Sequence, residues 1–380
     1  MNETNQTPFA GIELSNDVKQ AIVNMGYVKA TPVQEKTIPV FLTGSDLIVQ
    51  APTGTGKTAA FGIPIAQMLN PSGRYAQVLI LSPTRELALQ TTGVLRKLLQ
   101  YKRDVRIATL YGGEKIERQF SVLRMRPQVI VATPGRLIDH LQRKTLSLNT
   151  VKTVVLDEAD RMLDMGFQAD LNKILQTVST ERQTVLFSAT ISKDIMQIAE
   201  NYQRNAKHIT VKQDTLTVKL VKQFYTTVNT GTKKTELMAL LNGHENALCL
   251  VFVNTKRMAD KLCADLQKSN FRSDVLHGDI NQQKRERVMN AFRSGRLDVL
   301  VATDVAARGI DVLDIDIVVN YDIPMDSESY VHRIGRTGRA NRLGTAYTLI
   351  YRQEIGKLNT IIRDTKANIQ RLSPALGAAV

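Results

Sequence analysis

Residues 51–58 join small side chains to a lysine and a threonine, a composition that suits the binding of phosphate groups. The run reads Ala51-Pro52-Thr53-Gly54-Thr55-Gly56-Lys57-Thr58 and follows a short strand pattern. Small side chains let backbone N–H groups approach phosphate oxygens, and a helix N-terminus favours anions. Lys57 would contact the β- and γ-phosphates of a nucleotide, and the Thr58 hydroxyl would ligate magnesium. The strict pattern begins with Gly, where this chain has Ala51.

A second group of candidates is the acidic run Asp157-Glu158-Ala159-Asp160, which follows an apolar strand pattern. A carboxylate after a buried strand is the usual partner of a phosphate loop, where it holds the magnesium ion, largely through water. Asp157 has the position of that ligand, and Glu158 the position of the residue that polarises the attacking water. The alternative is a solvated acidic turn, which is common after strands.

Three arginines recur at every third position towards the end of the chain, at Arg333, Arg336 and Arg339. This spacing can align them on one face of a turn or helix. Because several guanidinium groups on one face repel one another, we expect this face to meet anions. The alternative is a solvated basic face.

The scaffold for these residues is predicted by the alternation of strand and helix patterns along the chain. Short apolar runs recur at 46–50, 78–81, 129–131, 151–156, 184–187, 248–253, 298–301, 316–320 and 345–350. Helical patterns lie between them, for example at 85–99, 255–267 and 282–292. The alternation predicts an α/β protein with parallel sheets and helices on both faces. Near-continuous apolar strands agree, because parallel sheets are buried on both sides.

The pattern weakens over residues 208–220, which are polar and rich in Thr and Lys. We therefore predict four segments, listed here in chain order: a first domain at 1–207, a linker at 208–217, a second domain at 218–368 and a tail at 369–380. The two domains have similar length, and we expect them to flank a cleft.

Composition narrows the choice of partners. The chain has 380 residues, a net charge of +14 and a pI of about 9.7, which favours polyanions, with nucleic acid first and an anionic membrane surface second. We find no apolar run near the ~18 residues that span a bilayer and no secretory pattern at the N-terminus, and we expect a cytoplasmic protein without membrane association. Cys249 and Cys263 lie in apolar patterns, which predicts two buried, reduced thiols.

With the tetrapeptide Asp-Glu-Ala-Asp at 157–160, the sequence resembles the DEAD-box RNA helicases of helicase superfamily 2, and further family blocks follow in order over about residues 9–360. The resemblance implies two tandem RecA-like domains, each a parallel sheet with helices on both faces, joined by a short linker. It also implies that the block from Gly26 to Gln34 reads adenine. The implied ATP-binding residues are Phe9, Tyr27, Gln34, Thr53, Gly54, Thr55, Gly56, Lys57, Thr58 and Asp311.

The resemblance also implies catalytic roles. Ser188-Ala189-Thr190, which on its own would be interpreted as a helix cap, resembles the block that couples hydrolysis to RNA remodelling by bonding to the acidic loop. Arg336 and Arg339 resemble arginine fingers, which stabilise charge on the transferred phosphoryl group. The implied catalytic set is Lys57, Asp157, Glu158, Ser188, Thr190, Arg336 and Arg339, with Thr58 and Asp157 at magnesium.

Three blocks of the first domain, which begin at Pro83, Gly112 and Thr133, resemble the family's RNA-contacting loops, although each could also be an ordinary turn built from Pro, Gly and Thr. Thr hydroxyls, helix N-termini and Arg side chains suit contacts to phosphate and 2′-OH groups. The implied RNA-binding residues are Pro83, Thr84, Arg85, Gly113, Thr133, Arg136, Asn254, Thr255, Thr303 and Arg308.

The predicted function is that of an ATP-dependent RNA helicase that uses ATP and Mg²⁺ and binds single-stranded RNA or short duplexes through the backbone. It closes two domains around ATP and RNA, unwinds short duplexes or remodels ribonucleoprotein, and releases RNA after hydrolysis. We expect a monomer, with ribonucleoprotein or ribosome-assembly factors as partners. Two alternatives stay open, an ATP-gated RNA clamp with little unwinding and a DNA translocase of the same superfamily.

Overall fold

The computed structural model describes residues 9, 11–52, 54–211, 221–244, 247–307, 315–338 and 343–372. The chain divides into two compact units, and the boundary in the sequence falls between Gln213 and Asp214. Each unit contains one parallel sheet of seven strands, and each sheet carries apolar clusters on both faces. The α/β architecture with two parallel sheets is therefore as predicted.

The first sheet has the strand order β3-β4-β2-β5-β6-β1-β7, and all its pairings are parallel. Its strands are β1 (Leu47–Gln50), β2 (Val78–Leu81), β3 (Ile107–Leu110), β4 (Val129–Ala132), β5 (Thr153–Leu156), β6 (Gln183–Ser188) and β7 (Lys207–Thr210). The central strands are buried on both faces. Alternate side chains point to opposite faces, so Ile80 joins the cluster on one face while Leu79 and Leu81 join the other.

Nine helices cover this sheet within the described residues. They are α1 (Asn16–Asn24), α2 (Pro32–Leu42), α3 (Lys57–Met68), α4 (Arg85–Leu98), α5 (Ile116–Arg124), α6 (Pro134–Gln142), α7 (Ala159–Asp164), α8 (Gln168–Thr177) and α9 (Lys193–Tyr202). Capping residues fix where several of them begin. The Thr84 hydroxyl accepts a hydrogen bond from Leu87 N at the start of α4, and Ser192 caps α9 in the same way.

The second sheet has the order β10-β11-β9-β12-β13-β8-β14 and is also parallel. Its strands are β8 (Val221–Val228), β9 (Cys249–Val253), β10 (Ser273–Leu276), β11 (Val299–Thr303), β12 (Ile317–Asn320), β13 (Gly344–Tyr351) and β14 (Ile369–Arg371). The helices are α10 (Lys233–Asn242), α11 (Lys256–Lys268), α12 (Gln282–Arg293), α13 (Asp304–Ala307), α14 (Ser327–Ile334) and α15 (Ile355–Thr365), with a short 3₁₀ turn at Arg352–Glu354. Cys249 and Cys263 are buried free thiols, as expected.

The structure corrects two of the predicted segment boundaries. Residues 208–210, which we assigned to the linker, belong to β7, which pairs with β1. Residues 369–371, which we assigned to the tail, form β14, which pairs with β8. Both are edge strands with a single buried side chain, so neither has an apolar run in the sequence. Residues 212–217 of the predicted linker and 373–380 of the tail lie outside the described residues.

In the part of the chain that the structure covers, no helix combines the length and apolar character needed to cross a membrane.

Candidate functional site

The carboxyl edge of the first sheet brings together the candidate nucleotide-binding residues. The strands β5, β6 and β1 are neighbours, and they end at the acidic run, at Ser188 and at residues 51–58, called here the phosphate loop, respectively. Leu156 is in register with Leu186, and Gln50 with Ser188. Because neighbouring strands lie ~4.8 Å apart, three segments far apart in sequence occupy one short stretch of sheet edge.

The phosphate loop turns into α3 through two glycines in the left-handed region. Gly54 has φ 80° and Gly56 has φ 92°, and a Cβ atom at Gly56 would lie 2.5 Å from Gln34 Nε2. Lys57 begins α3 and is buried, and its Nζ donates to Ala51 O at 2.9 Å. The first N–H groups of a helix have no partner within the helix. The loop therefore presents backbone donors and an ammonium group at one place, which suits phosphate oxygens.

The block around Gln34 is bonded directly to the phosphate loop. Gln34 is buried at the start of α2, its Nε2 donates to Gly56 O at 3.2 Å, and its Oε1 accepts from Thr31 N at 3.0 Å. The Thr31 hydroxyl donates to Thr55 O at 2.8 Å. An amide has two N–H donors and two acceptor lone pairs, so these bonds use half of the capacity of Gln34.

The aromatic residues predicted at the adenine occupy apolar surroundings. Phe9 is buried in the same cluster as the inner face of α3, with φ 69°. Tyr27 packs against this cluster, and burial raises the pKa of its phenol. Phe9 thus has the environment of a core residue. Thr53 lies outside the described residues.

The acidic run begins with a buried carboxylate and continues with a strained residue. Asp157 is 4% exposed, and burial, with a smaller contribution from Glu158, raises its pKa to about 7, while Lys57 opposes the shift. Glu158 has φ 50°, and its Oε2 accepts from Arg161 Nη1 at 2.7 Å. The ion pair between Glu158 and Arg161 lies largely out of solvent, so the orientation of the Glu158 carboxylate is fixed.

The last carboxylate of the run is bonded to the neighbouring loop. Asp160 Oδ2 accepts from Ala189 N at 2.9 Å, from Thr190 N at 3.1 Å and from Thr190 Oγ1 at 3.4 Å. The Ser188 hydroxyl donates to Thr190 O at 2.6 Å. The structure therefore contains the bond between the acidic loop and Ser188-Ala189-Thr190 that the resemblance implied.

The first-unit residues predicted to contact RNA lie on the other half of the same sheet edge. Pro83 and Thr84 follow β2, Gly113 follows β3, and Thr133 and Arg136 follow β4. The order β3-β4-β2-β5 places these three loops side by side and next to the acidic run. Thr84 and Thr133 each precede a helix, which directs the first N–H groups of α4 and α6 towards this edge.

Two arginines of this group are held by local contacts. The Arg85 guanidinium lies over the Tyr111 ring at 4.4 Å. Arg136 Nη2 donates to Glu114 O at 3.0 Å, and its Nη1 is a buried atom with no hydrogen-bond partner in the described part of the chain. The Nη1 group of the Arg136 guanidinium is therefore available to donate to an anion.

A pair of buried side chains supports the loop that contains Gly113. Gln119 Nε2 donates to Tyr111 O at 3.1 Å and to Glu114 Oε2 at 3.2 Å. Gln119 Oε1 lies 3.0 Å from His140 Nε2, and because the amide NH₂ faces two acceptors, the ring nitrogen is the donor of this bond. Burial lowers the pKa of His140, with Arg136 adding to the shift. Sequence reasoning missed Gln119 and His140, since a lone polar residue in a helical pattern gives no signal.

The second unit repeats this arrangement on its own sheet. His277 follows β10, Thr303 ends β11, and Asn254 and Thr255 follow β9, on three adjacent strands. The Thr255 hydroxyl accepts from Met258 N at 3.2 Å and caps α11. His277 is buried, and its ring contacts Asp260 Oδ1 at 2.9 Å, which is the environment of a structural histidine.

The prediction that Arg333, Arg336 and Arg339 share one anion-facing surface is wrong for Arg333. Arg333 is 1% exposed, its Nε and Nη2 contact the Asp304 carboxylate at 2.6 and 2.7 Å, and its Nη2 also donates to Asn254 Oδ1 at 2.8 Å. A bidentate pair satisfies the guanidinium inside the unit. Arg336 lies just after α14, and its Nε donates to His332 O at 3.4 Å. Arg308, Asp311 and Arg339 lie outside the described residues.

Tandem parallel sheets with a phosphate loop and an acidic run at one sheet edge define the class of nucleotide-binding proteins with RecA-like domains. Residues 31–198 match the DEAD/DEAH box helicase family, and residues 232–341 match the helicase conserved C-terminal domain family. The chain is 48% identical over 368 residues to the DEAD-box ATP-dependent RNA helicase CshA of Geobacillus kaustophilus, covering 97% of this chain and 79% of that protein. It is 46% identical over 373 residues to the Bacillus subtilis CshA, covering 98% and 75%.

Comparison with solved structures also finds similarity to RNA-bound proteins with nucleotide. Saccharomyces cerevisiae Dbp5 bound to RNA and ADP BeF3 is similar with a TM-score of 0.84 and 32% identity, covering 96% of this chain and 95% of that chain. Mss116p bound to ssRNA and AMP-PNP has a TM-score of 0.81 and 29% identity, covering 95% and 78%. The chain belongs to the DEAD-box family of ATP-dependent RNA helicases. This membership confirms the family and the tandem RecA-like fold that the sequence predicted.

Sequence reasoning left two residues of the nucleotide half out of the site. Asp160 was not assigned a role, although it is the carboxylate that bonds to Ala189 and Thr190. Arg161 was also missed, although its spacing of three residues from Glu158 on a predicted helix is a recognisable signal for an ion pair.

Proposed function

We propose that this DEAD-box RNA helicase binds ATP on the β5-β6-β1 half of its first sheet edge and RNA on the β3-β4-β2 half. The observation that carries the proposal is the direct bonding within the nucleotide half, above all from Asp160 to Ala189 and Thr190, at a place where β5 is the neighbour of β2 and its RNA loop. A change at the nucleotide thereby reaches the loops beside it through one short chain of contacts. ATP and RNA then bind to neighbouring loops at one edge of the same sheet.

The roles at ATP follow from the local contacts. The backbone of residues 54–56 and the N-terminus of α3 surround the phosphates, and Lys57 exchanges its bond to Ala51 O for one to a phosphate oxygen. Gln34 reads the adenine edge with the donor and acceptor capacity that its present bonds leave. We assign Thr53 and Asp311 to the same site by resemblance, together with Tyr27 and the neighbouring Phe9.

The magnesium site is proposed at Thr58 and Asp157. A hydroxyl and a carboxylate are hard oxygen donors of the kind that Mg²⁺ takes, and the buried Asp157 carboxylate is only partly compensated by Lys57. Among the described residues no cluster of three or more His, Cys, Asp or Glu side chains could hold a metal ion alone. Water and phosphate oxygens would therefore complete the shell. When bound, the ion neutralises charge that develops on the phosphates.

Glu158 is the proposed base that orients the attacking water. Its carboxylate is held by Arg161, so it needs little reorganisation before the reaction. Arg336 and Arg339 of the second domain are proposed to stabilise charge on the phosphoryl group, worth roughly 10³–10⁵ in rate where such residues have been measured. Hydrolysis then requires both domains at one nucleotide, and ATP and RNA each favour the closed arrangement because both contact both domains.

RNA is held through its backbone at Pro83, Thr84, Arg85, Gly113, Thr133 and Arg136 of the first domain and at Asn254, Thr255, Thr303 and Arg308 of the second. Contacts to phosphate and 2′-OH groups carry little sequence information, so sequence preference is slight. Stacking is worth ~1–2 kcal/mol per step, judging from DNA, and one ATP therefore opens only a short stretch. We place this activity in the cytoplasm, as a monomer, on ribonucleoprotein substrates.

The experiment is steady-state ATP hydrolysis with single-stranded RNA, with single-stranded DNA of the same length, or with neither. We expect stimulation by RNA alone, and loss of nucleotide use in Lys57→Ala. Equal stimulation by DNA would replace the proposal with a general nucleic-acid translocase. RNA binding that depends on ATP, without turnover or strand separation, would replace it with an ATP-gated clamp.

A further inference from the structure

Four loops lie at the amino edge of the first sheet, opposite to the phosphate loop. They precede β3, β4, β2 and β5, which are consecutive neighbours in the sheet. The loops are residues 99–106, 125–128, 70–77 and 143–152, and together with Arg124, the last residue of α5, they are called here the basic back surface. Because each of these strands has four residues, the two edges are separated by roughly 13 Å along the strands.

The basic back surface carries far more positive than negative charge. Its basic residues are Arg74, Lys102, Arg103, Arg106, Arg124, Arg126, Arg143, Lys144 and Lys152, and the one acidic residue is Asp104. Nine positive charges less one negative charge leave an excess of eight, out of a net +14 for the whole chain. All of the basic residues except the half-buried Lys102 are exposed. The excess charge that the sequence displayed is therefore concentrated, and the proposed RNA loops at the opposite edge do not account for it.

Buried glutamines fasten the loops to one another. Gln128 Nε2 donates to Pro71 O at 3.0 Å and to Asp104 O at 3.2 Å, while its Oε1 accepts from Arg106 N at 2.9 Å. One side chain thus joins three of the loops. Arg106 Nη1 adds a bond to Met125 O at 2.7 Å.

The remaining loop is fastened through Gln77. Its side-chain Nε2 donates to Asn70 O at 2.8 Å and to Gly73 O at 3.2 Å. The backbone carbonyl oxygen of Gln77 accepts from Lys152 N at 2.8 Å. The Thr150 hydroxyl donates to Ala76 O at 2.9 Å. Like charges on loops that are bonded to one another repel, and that cost is relieved when a polyanion lies across them.

The apolar residues of the surface favour RNA over other polyanions. Tyr75, Tyr101 and Met125 are 45%, 41% and 48% exposed and lie among the arginines. Unpaired bases stack on aromatic rings and on guanidinium planes, whereas an acidic peptide or a lipid headgroup uses only the charge.

We propose that the basic back surface is a second RNA-binding surface, which holds a segment of the substrate outside the stretch gripped at the carboxyl edge. This extends the proposed function and rests on RNA being the substrate. Both surfaces are ends of the same strands, so the second segment stays at a fixed place relative to the first-domain RNA loops at every stage of the ATP cycle. Long or structured RNAs would then bind more tightly than short ones without any added sequence preference.

The test is the triple variant Arg74→Gln, Arg103→Gln and Arg124→Gln, which removes three exposed charges from the basic back surface. A matched control, Lys261→Gln, Lys268→Gln and Lys357→Gln, removes three exposed charges from the second unit. For both proteins, RNA affinity is measured over a salt series with a ten-nucleotide RNA and with a long RNA that carries a flanking duplex. Unchanged basal ATP hydrolysis and thermal unfolding verify that the variants fold.

We expect the back-surface variant to bind the long RNA roughly tenfold more weakly, with the slope of log K against log salt reduced by about two to three for three lost phosphate contacts. Binding of the short RNA, and its stimulation of ATP hydrolysis, should match the unmodified protein and the control. An equal loss for short and long RNA would overturn the proposal, because the residues would then act at the carboxyl edge. A loss no greater than that of the control would overturn it too.

Polyglutamate and anionic phosphatidylserine vesicles serve as competitors. If either displaced the long RNA segment at equal charge concentration, the surface would be a general polyanion site and the commitment to RNA would fail. Failure of the proposed function gives a different result, namely absence of RNA-stimulated hydrolysis with the short RNA in the unmodified protein.

Discussion

Asp160 accepts the backbone N–H of Ala189 at 2.9 Å, which ties the end of the acidic run to the loop that follows the neighbouring strand. Thr190 N and Thr190 Oγ1 donate to the same carboxylate oxygen. One carboxylate oxygen thus accepts from three donors, and hydrogen bonds to charged groups are about twice as strong as neutral ones. The loop after β6 therefore follows any movement of the loop after β5.

We predict that Asp160→Asn separates hydrolysis from strand separation. The neutral amide oxygen of the asparagine binds the three donors more weakly. If the amide rotates, its NH₂ group faces the same three donors and can accept no hydrogen bond from them. Basal ATP hydrolysis should stay within about threefold, while duplex strands separated per ATP hydrolysed fall about tenfold, since the lost bonds are worth roughly 1.5–3 kcal/mol. The measurement is the ratio of the two rates on one duplex, with Glu181→Gln as the control. Equal losses in both rates would exclude a coupling role.

Glu158→Gln should lower ATP hydrolysis by 10²–10⁴, the range that general bases contribute. The substitution keeps the shape of the side chain, so ATP binding and ATP-dependent RNA binding should persist. Single-turnover hydrolysis and nucleotide affinity, measured on the same preparation, separate the two effects. Turnover at the unmodified rate would remove Glu158 from the reaction.

Gln119→Leu should act on RNA and not on ATP. The substitution removes the donors to Tyr111 O and Glu114 Oε2 and leaves His140 Nε2 without its acceptor, so the loop with Gly113 loses its support. We expect the RNA concentration for half-maximal stimulation to rise about fivefold to tenfold at an unchanged kcat, with basal hydrolysis unaffected. Gln90→Leu on the exposed face of α4 is the matched control. A fall in kcat with no change in RNA requirement would show that Gln119 serves the nucleotide half.

The pH dependence of stability should reflect His140. Burial holds its pKa below the ordinary value of 6.5 in the folded chain, so the unfolded chain binds the proton first as pH falls. Stability from this group is fully present above pH ~6.5 and is lost below it, by up to about 1.4 kcal/mol per pH unit. Urea unfolding followed by circular dichroism between pH 7 and pH 5 should show a shallower slope in His140→Gln. Identical slopes would mean that other groups set the dependence.

Arg333→Met should destabilise the second domain by about 3 kcal/mol. The change leaves the Asp304 carboxylate and Asn254 Oδ1 without their guanidinium partner, and it is costly to remove the buried arginine from a pair whose carboxylate is itself largely out of solvent. Arg363→Met, at an exposed pair with Asp364, should cost less than about 1 kcal/mol. Urea unfolding of both variants gives the comparison, and similar losses in the two would contradict a structural role for Arg333.

The central strands and the phosphate loop could be predicted from the sequence because their signals are local. Strands β2, β4 and β5 are buried along their whole length, so each shows a continuous apolar run. The edge strands β3, β7 and β14 alternate or carry a single buried side chain, and β10 begins with the polar pair Ser273 and Asp274, so no continuous apolar run marks these four strands. They form because a neighbouring strand offers its hydrogen-bonding groups, which is a tertiary effect.

The functional site shows the same division between features with a local sequence signal and features that depend on tertiary packing. The acidic run and the glycines of the phosphate loop were recognisable, because their chemistry requires fixed residue types at fixed spacing. The different surroundings of Arg333 and Arg136 could not be predicted, because both are arginines in short helices and the sequence does not show which partner each guanidinium meets. Arg333 meets a carboxylate inside its unit, and Arg136 retains a buried donor without a partner in the described chain. Only the packing around each guanidinium distinguishes them.

The close approach of Gly56 to Gln34 has a consequence for anyone who redesigns the enzyme. A Cβ atom at Gly56 would lie 2.5 Å from Gln34 Nε2, and the glycine also has φ 92°, so position 56 and position 34 cannot be varied independently. If Gln34 reads the base as proposed, a library with larger side chains at position 34 would distort the phosphate loop as well. The two positions must therefore be changed together, whereas the described contacts show no such close approach to the phosphate loop at Tyr27, the other residue proposed at the base.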